Sequence, residues 1–227
     1  MIQAVLFDFN GVLVNDEPQH CEALQRVLAE EGIALTREDY YAHYLGLDDR
    51  SGFVEAYRRA QRTLTTELLK FLVDTKSKVY LELVQSSLQL VPGAREFVRD
   101  AAKRFRLGIV SGALRREIDT LLARTDLAPH FEVIVAAGDV PHSKPNPASY
   151  LAALQAFNHR SSGPAPIAAA SCVVIEDSVP GLQAALAAGM PCIVLTTSHP
   201  IQHLEGRGAA RVWDSLAGHT AAELAAL

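Results

Sequence analysis

The sequence predicts an α/β protein built on a doubly wound parallel sheet, with an α-helical cap domain inserted into it. Three observations lead there. Short runs that are apolar at every position alternate with longer stretches of helical periodicity, as strands covered on both faces and their crossover helices require. The alternation lapses once, between about residues 16 and 90. Acids, a hydroxyl and a lysine stand where the apolar runs end, and in a sheet of this kind ligands bind beyond the carboxyl ends of the strands.

Ala4–Phe9 is the first strand, and Gly11 permits a tight reversal of the chain after it. From Asp16 to Leu90 only helical patterns occur. Cys21, Leu24, Val27 and Leu28 mark one apolar face, and Phe53–Ala60, Glu67–Val73 and Lys78–Leu88 read as further helices. A segment this long exceeds any ordinary crossover, so it reads as an insert. Residues 1–15 and 91–227 are then the core and residues 16–90 the cap, with Pro92-Gly93 marking the return. Phe97, Val98, Ala101 and Ala102 define the next helix, Leu107–Ser111 the second strand, and Ile118, Leu121 and Leu122 another helix. Val133–Ala136 is the third strand. Ser161–Ala170 (SSGPAPIAAA) reads as a flexible surface loop by composition. Cys172–Glu176 and Cys192–Leu195 are strands, separated by a helix with Leu182, Ala185 and Leu186 that stops at Gly189 before Pro191. Arg211–Trp213 is a weaker strand, and Thr220 with Glu223 forms a capping box that opens a last helix.

Composition excludes several classes. Of 227 residues, 49% are hydrophobic, which is too many for a disordered chain. The net charge of −5, from 21 basic and 26 acidic residues, argues against a nucleic-acid partner, which would need a basic face. The N-terminus MIQAVLFDF lacks a basic lead and meets an acid early, so it is not a secretory signal, and no apolar run is long enough to span a bilayer. Cys21, Cys172 and Cys192 match no zinc spacing. The expectation is a soluble cytoplasmic protein, a monomer or weak homodimer, with neither membrane nor nucleic-acid partner.

Four segments fall at strand ends: DFNGVLVNDEPQH from Asp8 to His20, Ser111-Gly112 after LGIV, Lys144 within SKPNP, and VIEDSVPG with Glu176-Asp177. Each alone has an ordinary structural reading as a turn acid, a helix cap or a solvated lysine. Together they place two acid clusters, a hydroxyl and a lysine at one sheet edge.

That order, with the Gly11 turn and the helical insert, resembles the four motifs of the haloacid dehalogenase-like hydrolases. The insert is similar to that of the subgroup containing β-phosphoglucomutase and phosphoglycolate phosphatase. The resemblance implies that Asp8 attacks phosphorus and forms an aspartyl-phosphate. It implies that Mg2+ is held by Asp8, the carbonyl of Asn10 and Asp177, with Glu176 bound directly or through water. An oxygen-ligated cation would let an anionic carboxylate approach an anionic phosphate. Ser111, Gly112 and Lys144 would hold the phosphoryl oxygens, with Lys144 also fixing Asp8. In the cap, His20, Arg50 and Lys76 take places where similar proteins contact the substrate, a small phosphorylated metabolite.

One departure matters. The family's first motif is Asp-x-Asp-Gly, and here it is Asp8-Phe9-Asn10-Gly11. The second Asp gives a proton to the leaving oxygen and takes one from water, and an amide cannot exchange protons at ordinary pH. Asn10 reads in three ways: a designed trap, a natural variant whose acid is replaced by Asp16, Glu17 or His20, or the mark of a protein that binds phosphates without turning them over. Asn15, where the family commonly has Asp, favours the natural variant. A phosphomonoester hydrolase is therefore expected, with a phosphosugar mutase and a phosphate-ligand sensor as alternatives. Dehalogenation needs no such metal and phosphate set. A phosphonate-cleaving relative would need a cap lysine near position 53, which is Phe.

Overall fold

The computed structural model of the chain describes residues 1–85, 87–160 and 166–227. The chain divides into two compact units, Met1–Asn15 with Gln89–Leu227, and Asp16–Leu88.

Among the described residues the first unit holds six strands: β1 (Ala4–Phe7), β2 (Arg106–Leu114), β3 (Phe131–Ala137), β4 (Cys172–Glu176), β5 (Cys192–Leu195) and β6 (Arg211–Trp213). All pairings are parallel and the order across the sheet is β3-β2-β1-β4-β5-β6. Successive connections run to one side of β1 as far as β3 and then to the other from β4 onward, so the switch point lies between β1 and β4. The strand after Met1 ends two residues earlier than the apolar run suggests. Phe9 is buried, but in a turn: Leu13 and Val14 both donate their N–H to Phe9 O, and Gly11 N–H donates to Val14 O at 2.7 Å. At the far end of this turn the chain leaves for the second unit, and it returns alongside. Val14 bridges antiparallel to Leu90, Asn15 N–H donates to Gln89 O at 2.8 Å, and Val91 N–H to Leu13 O at 3.0 Å.

The described residues of the second unit form four helices, α1 (Glu17–Glu30), α2 (Arg37–His43), α3 (Asp49–Arg59) and α4 (Thr66–Gln85). Glu67–Val73 and Lys78–Leu88 are read from sequence as separate helices; Glu67–Val73 and residues 78–85 belong to the continuous α4, and residue 86 lies outside the described residues. The polar run between them resembles a break, yet Lys76 and Ser77 are buried, and Lys76 Nζ lies 2.6 Å from Asp49 Oδ1 on α3. A paired buried lysine, not a turn, explains the polarity. The short α2 has no counterpart among the sequence expectations; Thr36 caps it by accepting from Asp39 N–H at 3.0 Å.

In the first unit α5 (Ala94–Ala101), α6 (Arg115–Leu122), α7 (Ala148–Arg160) and α8 (Val179–Ala187) cover the sheet. Tyr150, Ala153 and Phe157 of α7 and Leu182, Ala184 and Ala185 of α8 pack with Ala4, Leu6, Cys172, Val174, Cys192 and Val194. Residues of opposite parity face the other way: Phe7 meets Phe97 of α5 and Phe131 edge-on, at 6.3 and 5.9 Å between centroids. Alternate residues thus feed two cores, which is why these strands are apolar throughout. Burying each such side chain contributes about 1.5–3 kcal/mol.

Two further expectations are corrected. The C-terminal helix is 3-10, over Ala221–Ala226, although the Thr220–Glu223 capping box is present; a piece this short favours the tighter turn. Of the stretch read as a flexible loop, residues 161–165 lie outside the described residues. Ile167 beyond them is buried and exchanges two hydrogen bonds with the Asn158 amide, at 2.7 and 3.1 Å. No helix among the described residues is long and apolar enough to cross a membrane. All three cysteines are free and buried.

Candidate active site

The site grows from the carboxyl ends of β1, β2 and β4. Asp8 follows β1 directly, and its N–H donates to Ile175 O of β4 at 2.9 Å, so the residue is anchored at the switch point. Lys144, on the loop before α7, reaches across to it. Its Nζ donates to Asp8 Oδ1 at 2.9 Å, to Val110 O at 2.9 Å and to Glu176 Oε1 at 2.5 Å. An ammonium has three hydrogens, and all are engaged.

Glu176 ends β4 and is fully buried. Its Oε1 also accepts from Tyr150 Oη at 2.8 Å, while Oε2 accepts from Asp177 N at 3.0 Å, Ser178 N at 3.2 Å and Ser178 Oγ at 3.0 Å. Gly181 of α8 stands against this carboxylate so closely that a Cβ would overlap it. A buried charge persists only when paired and hydrogen-bonded, and this one is both.

These contacts set the protonation states. Burial pushes Asp8 up to about 6 and Glu176 pushes it the same way, against the pull of Lys144. Burial pushes Glu176 up as well, but Lys144 and the hydrogen bonds from Lys144, Tyr150 and Asp177 N–H outweigh it and hold that carboxyl below its ordinary range. Lys144 is raised above the usual lysine value, its two carboxylates overcoming burial.

Asp177 lies over the turn of the first motif. Its Oδ2 accepts from Ser198 Oγ, and a Cβ on Gly11 would overlap both groups. Gly11 also has φ of +72°, so both close approach and backbone hand demand glycine there. Thr197 Oγ1 donates to Gly11 O at 2.5 Å. Thr197 and Ser198 follow β5 and were not singled out from sequence, although TTS after the apolar CIVL is the same strand-end signal that marks the other segments.

One oxygen from each of Asp8, Glu176 and Asp177 can be chosen so that all lie within 4.8 Å of one another. Three hard carboxylates suit a hard divalent cation and offer none of the nitrogen or sulfur that softer metals prefer. Ser111 and Gly112 interrupt the β2–β3 ladder, whose register shifts between Val110 and Leu114. The irregularity turns Ser111 Oγ toward Asn10, whose Oδ1 is 3.5 Å away, and Ser111 Oγ also accepts from Ala113 N–H at 3.1 Å.

The second unit gathers its own charged group. Lys76 Nζ is 2.5 Å from His20 Nδ1, and the His20 ring stacks on Tyr80 at 4.1 Å. Tyr80 Oη donates to Asp16, which lies 3.5 Å from His20 Nε2. Burial and the Lys76 ammonium push the His20 pKa down, but the Asp16 carboxylate beside Nε2 favours a proton on that nitrogen and helps to raise it. Glu17 accepts from Tyr40 Oη. Arg50 is exposed on α3, and its neighbour Asp49 is the residue that joins Lys76.

Asp8 has a measurable signature. Its pKa is raised from 3.8 to about 6, so it holds its proton more tightly folded than unfolded. Its contribution to stability is complete below about pH 4 and is lost as pH rises through about 6, up to about 3 kcal/mol. A cation needs the ionised form. The rise in thermal midpoint on adding Mg2+ is therefore expected to be larger at pH 7.5 than at pH 5, and Asp8→Asn should flatten that difference. An equal rise at both pH values in the parent chain would show that Asp8 does not hold the cation.

Residues 2–189 match the model of the haloacid dehalogenase-like hydrolase family. The chain is 33% identical over 193 residues to a phosphorylated carbohydrates phosphatase of Thermotoga maritima, covering 83% of this chain and 82% of that one. Among solved structures, CbbY from Rhodobacter sphaeroides in complex with phosphate superposes with a TM-score of 0.82, at 26% identity over 96% of each chain. An aspartate-to-asparagine mutant of CbbY in complex with xylulose-(1,5)-bisphosphate fits equally well, with a TM-score of 0.82 at 26% identity over 96% of each chain.

Proposed function

Because the chain belongs to the haloacid dehalogenase-like hydrolases, a phosphatase acting on phosphorylated substrates, we propose that it is Mg2+-dependent, takes small phosphorylated carbohydrates, and carries the phosphoryl group on Asp8. The observation that carries this reading is Lys144 Nζ at 2.9 Å from Asp8 Oδ1, with Glu176 and Asp177 alongside. The relatives that act on phosphorylated carbohydrates or bind phosphate and a sugar bisphosphate support the substrate class.

Lys144 holds Asp8 Oδ1, which leaves Oδ2 to attack phosphorus. The ester P–O bond breaks and its electron pair leaves on the sugar oxygen. Every Lys144 hydrogen is engaged, so the lysine acts on the phosphoryl group by charge rather than as a spare donor. The Ser111 hydroxyl and the Gly112 N–H are the donors assigned to the phosphoryl oxygens. Mg2+, held by Asp8, Asp177 and the Asn10 carbonyl with Glu176 reached through water, would supply positive charge between nucleophile and phosphate. Water then cleaves the acyl phosphate and restores Asp8. Both halves need a proton moved for a sugar phosphate, and Asn10 cannot move one; with an activated leaving group only the second half is slowed, so the phosphoenzyme builds up. Choice among substrates is assigned to His20, Lys76 and Arg50 of the helical unit.

Asn10 also favours a second reading, a phosphate-ligand-binding protein without turnover. Phosphate release from a panel of phosphorylated carbohydrates and p-nitrophenyl phosphate, with Mg2+ and with chelator, separates them. Release that requires Mg2+ supports the phosphatase. Calorimetric binding with no release from any ester sinks it, and isomerisation of a sugar phosphate without release would indicate a mutase.

A further inference from the structure

Beneath the nucleophile, the hydrogen-bond chain ends in a residue to which the proposed chemistry gives no part. Tyr150 of α7 is completely buried, in the core with Ala153, Phe157 and Leu182. Phenylalanine would fill that space without a hydroxyl to satisfy, since a buried phenol must find a partner or lose free energy. The partner is Glu176 Oε1, at 2.8 Å. The same oxygen takes Lys144 Nζ at 2.5 Å, and Lys144 in turn holds Asp8 Oδ1.

We infer that Tyr150 is a positioning residue for phosphoryl transfer: by occupying Glu176 Oε1 it keeps Lys144 balanced between Glu176 and Asp8. The inference rests on the phosphatase reading of Asp8. Three donors already satisfy Oε2. Without the Tyr150 hydroxyl, Oε1 is left with Lys144 alone, and a buried carboxylate short of a donor draws on the one donor that can move. That donor is Lys144, because the three on Oε2 are the backbone N–H groups of Asp177 and Ser178 and the Ser178 hydroxyl, whose oxygen is itself held by Gly181 N–H at the start of α8. Lys144, already 2.5 Å from Oε1, then swings around that oxygen into the place the hydroxyl vacates, and its bond to Asp8 Oδ1 lengthens. Asp8 is then free to rotate, and the attacking oxygen loses its aim. Lys144 Nζ also sits 5.2 Å from the Tyr150 ring centroid, a contact a phenyl ring preserves. Tyr150→Phe therefore removes the hydroxyl and leaves packing and cation–π attraction in place.

The test uses the full chain with Mg2+, rapidly mixed with p-nitrophenyl phosphate, and crystals of the parent and Tyr150→Phe. The burst rate constant, which reports attack by Asp8, is expected to fall by on the order of tenfold or more. The substrate dissociation constant read from the concentration dependence of the burst should stay within about twofold, with burst amplitude and thermal midpoint retained, and Lys144 Nζ should lie beyond hydrogen-bond reach of Asp8 in the variant. An unchanged burst constant overturns the inference, as does a slower burst with Lys144 still on Asp8. If the parent shows no turnover or burst with any phosphate ester, the phosphatase reading fails on its own. The crystals then still decide the positioning: Lys144 departing from Asp8 upholds it, and Lys144 in place overturns it.

Discussion

Asn10→Asp is expected to raise turnover of ordinary alkyl phosphates by about 10²–10⁴-fold while changing p-nitrophenyl phosphate far less. A sugar alkoxide is a poor leaving group and needs a proton as its bond to phosphorus breaks; a nitrophenolate does not. The span corresponds to about 3–5 kcal/mol of barrier. Asn10 is half-buried with its Oδ1 3.5 Å from Ser111 Oγ, and a carboxyl group of the same shape occupies that place without repacking. The variant also regains a base for the water that cleaves the acyl phosphate, so the burst expected with activated substrates should vanish. Side-by-side steady-state and rapid-mixing assays on both substrate types check this. A parent chain that already cleaves a sugar phosphate at an ordinary enzymic rate of ~10 s⁻¹ would show that another group moves the proton. Asp16, Glu17 and His20 are the residues to change next, although Asp16 and Glu17 each already accept a buried tyrosine hydroxyl.

Asp8→Asn is expected to abolish turnover on every substrate, with a loss of about 10⁴–10⁶. The amide keeps the volume and can still accept from Lys144, so the fold is spared, but a neutral amide oxygen does not displace an alkoxide from phosphorus. The check is direct: peptides from parent chain quenched during a burst should carry one phosphoryl group on Asp8, and those from the variant none. Phosphorylation of the variant at another residue would move the nucleophile elsewhere.

Most of the core was readable because its strands announce themselves. Cys172–Glu176 and Cys192–Leu195 are buried along their whole length, so each apolar run and strand begin and end together. The residues of the candidate site were readable for a related reason, since a strand's end is where side chains leave the core and chemistry can begin. Asp8, Lys144 and Glu176 meet within hydrogen-bond distance although scattered along the chain. Other features were hidden by physics that a linear pattern does not carry. The middle of α4 is polar because Lys76 is paired inside the unit, and pairing depends on Asp49 of another helix. Helix α7 was overlooked because its alanines blur the contrast between faces, and with it Tyr150. Thr197 and Ser198 act on Gly11 and Asp177 only because β5 lies next to β4.

The antiparallel crossing at Val14 and Leu90 has a consequence for modularity. Asn15 N–H and Gln89 O are one hydrogen bond apart, so the α/β unit sees everything between them as the loop of a hairpin. Closing such a loop costs entropy that grows only with the logarithm of its length. A short turn joining residue 15 to residue 89 would therefore cost the sheet little and a longer insert little more. The crossing is a socket: helices of different length and chemistry can be exchanged in it while the strands, and the carboxylates at their ends, keep their register.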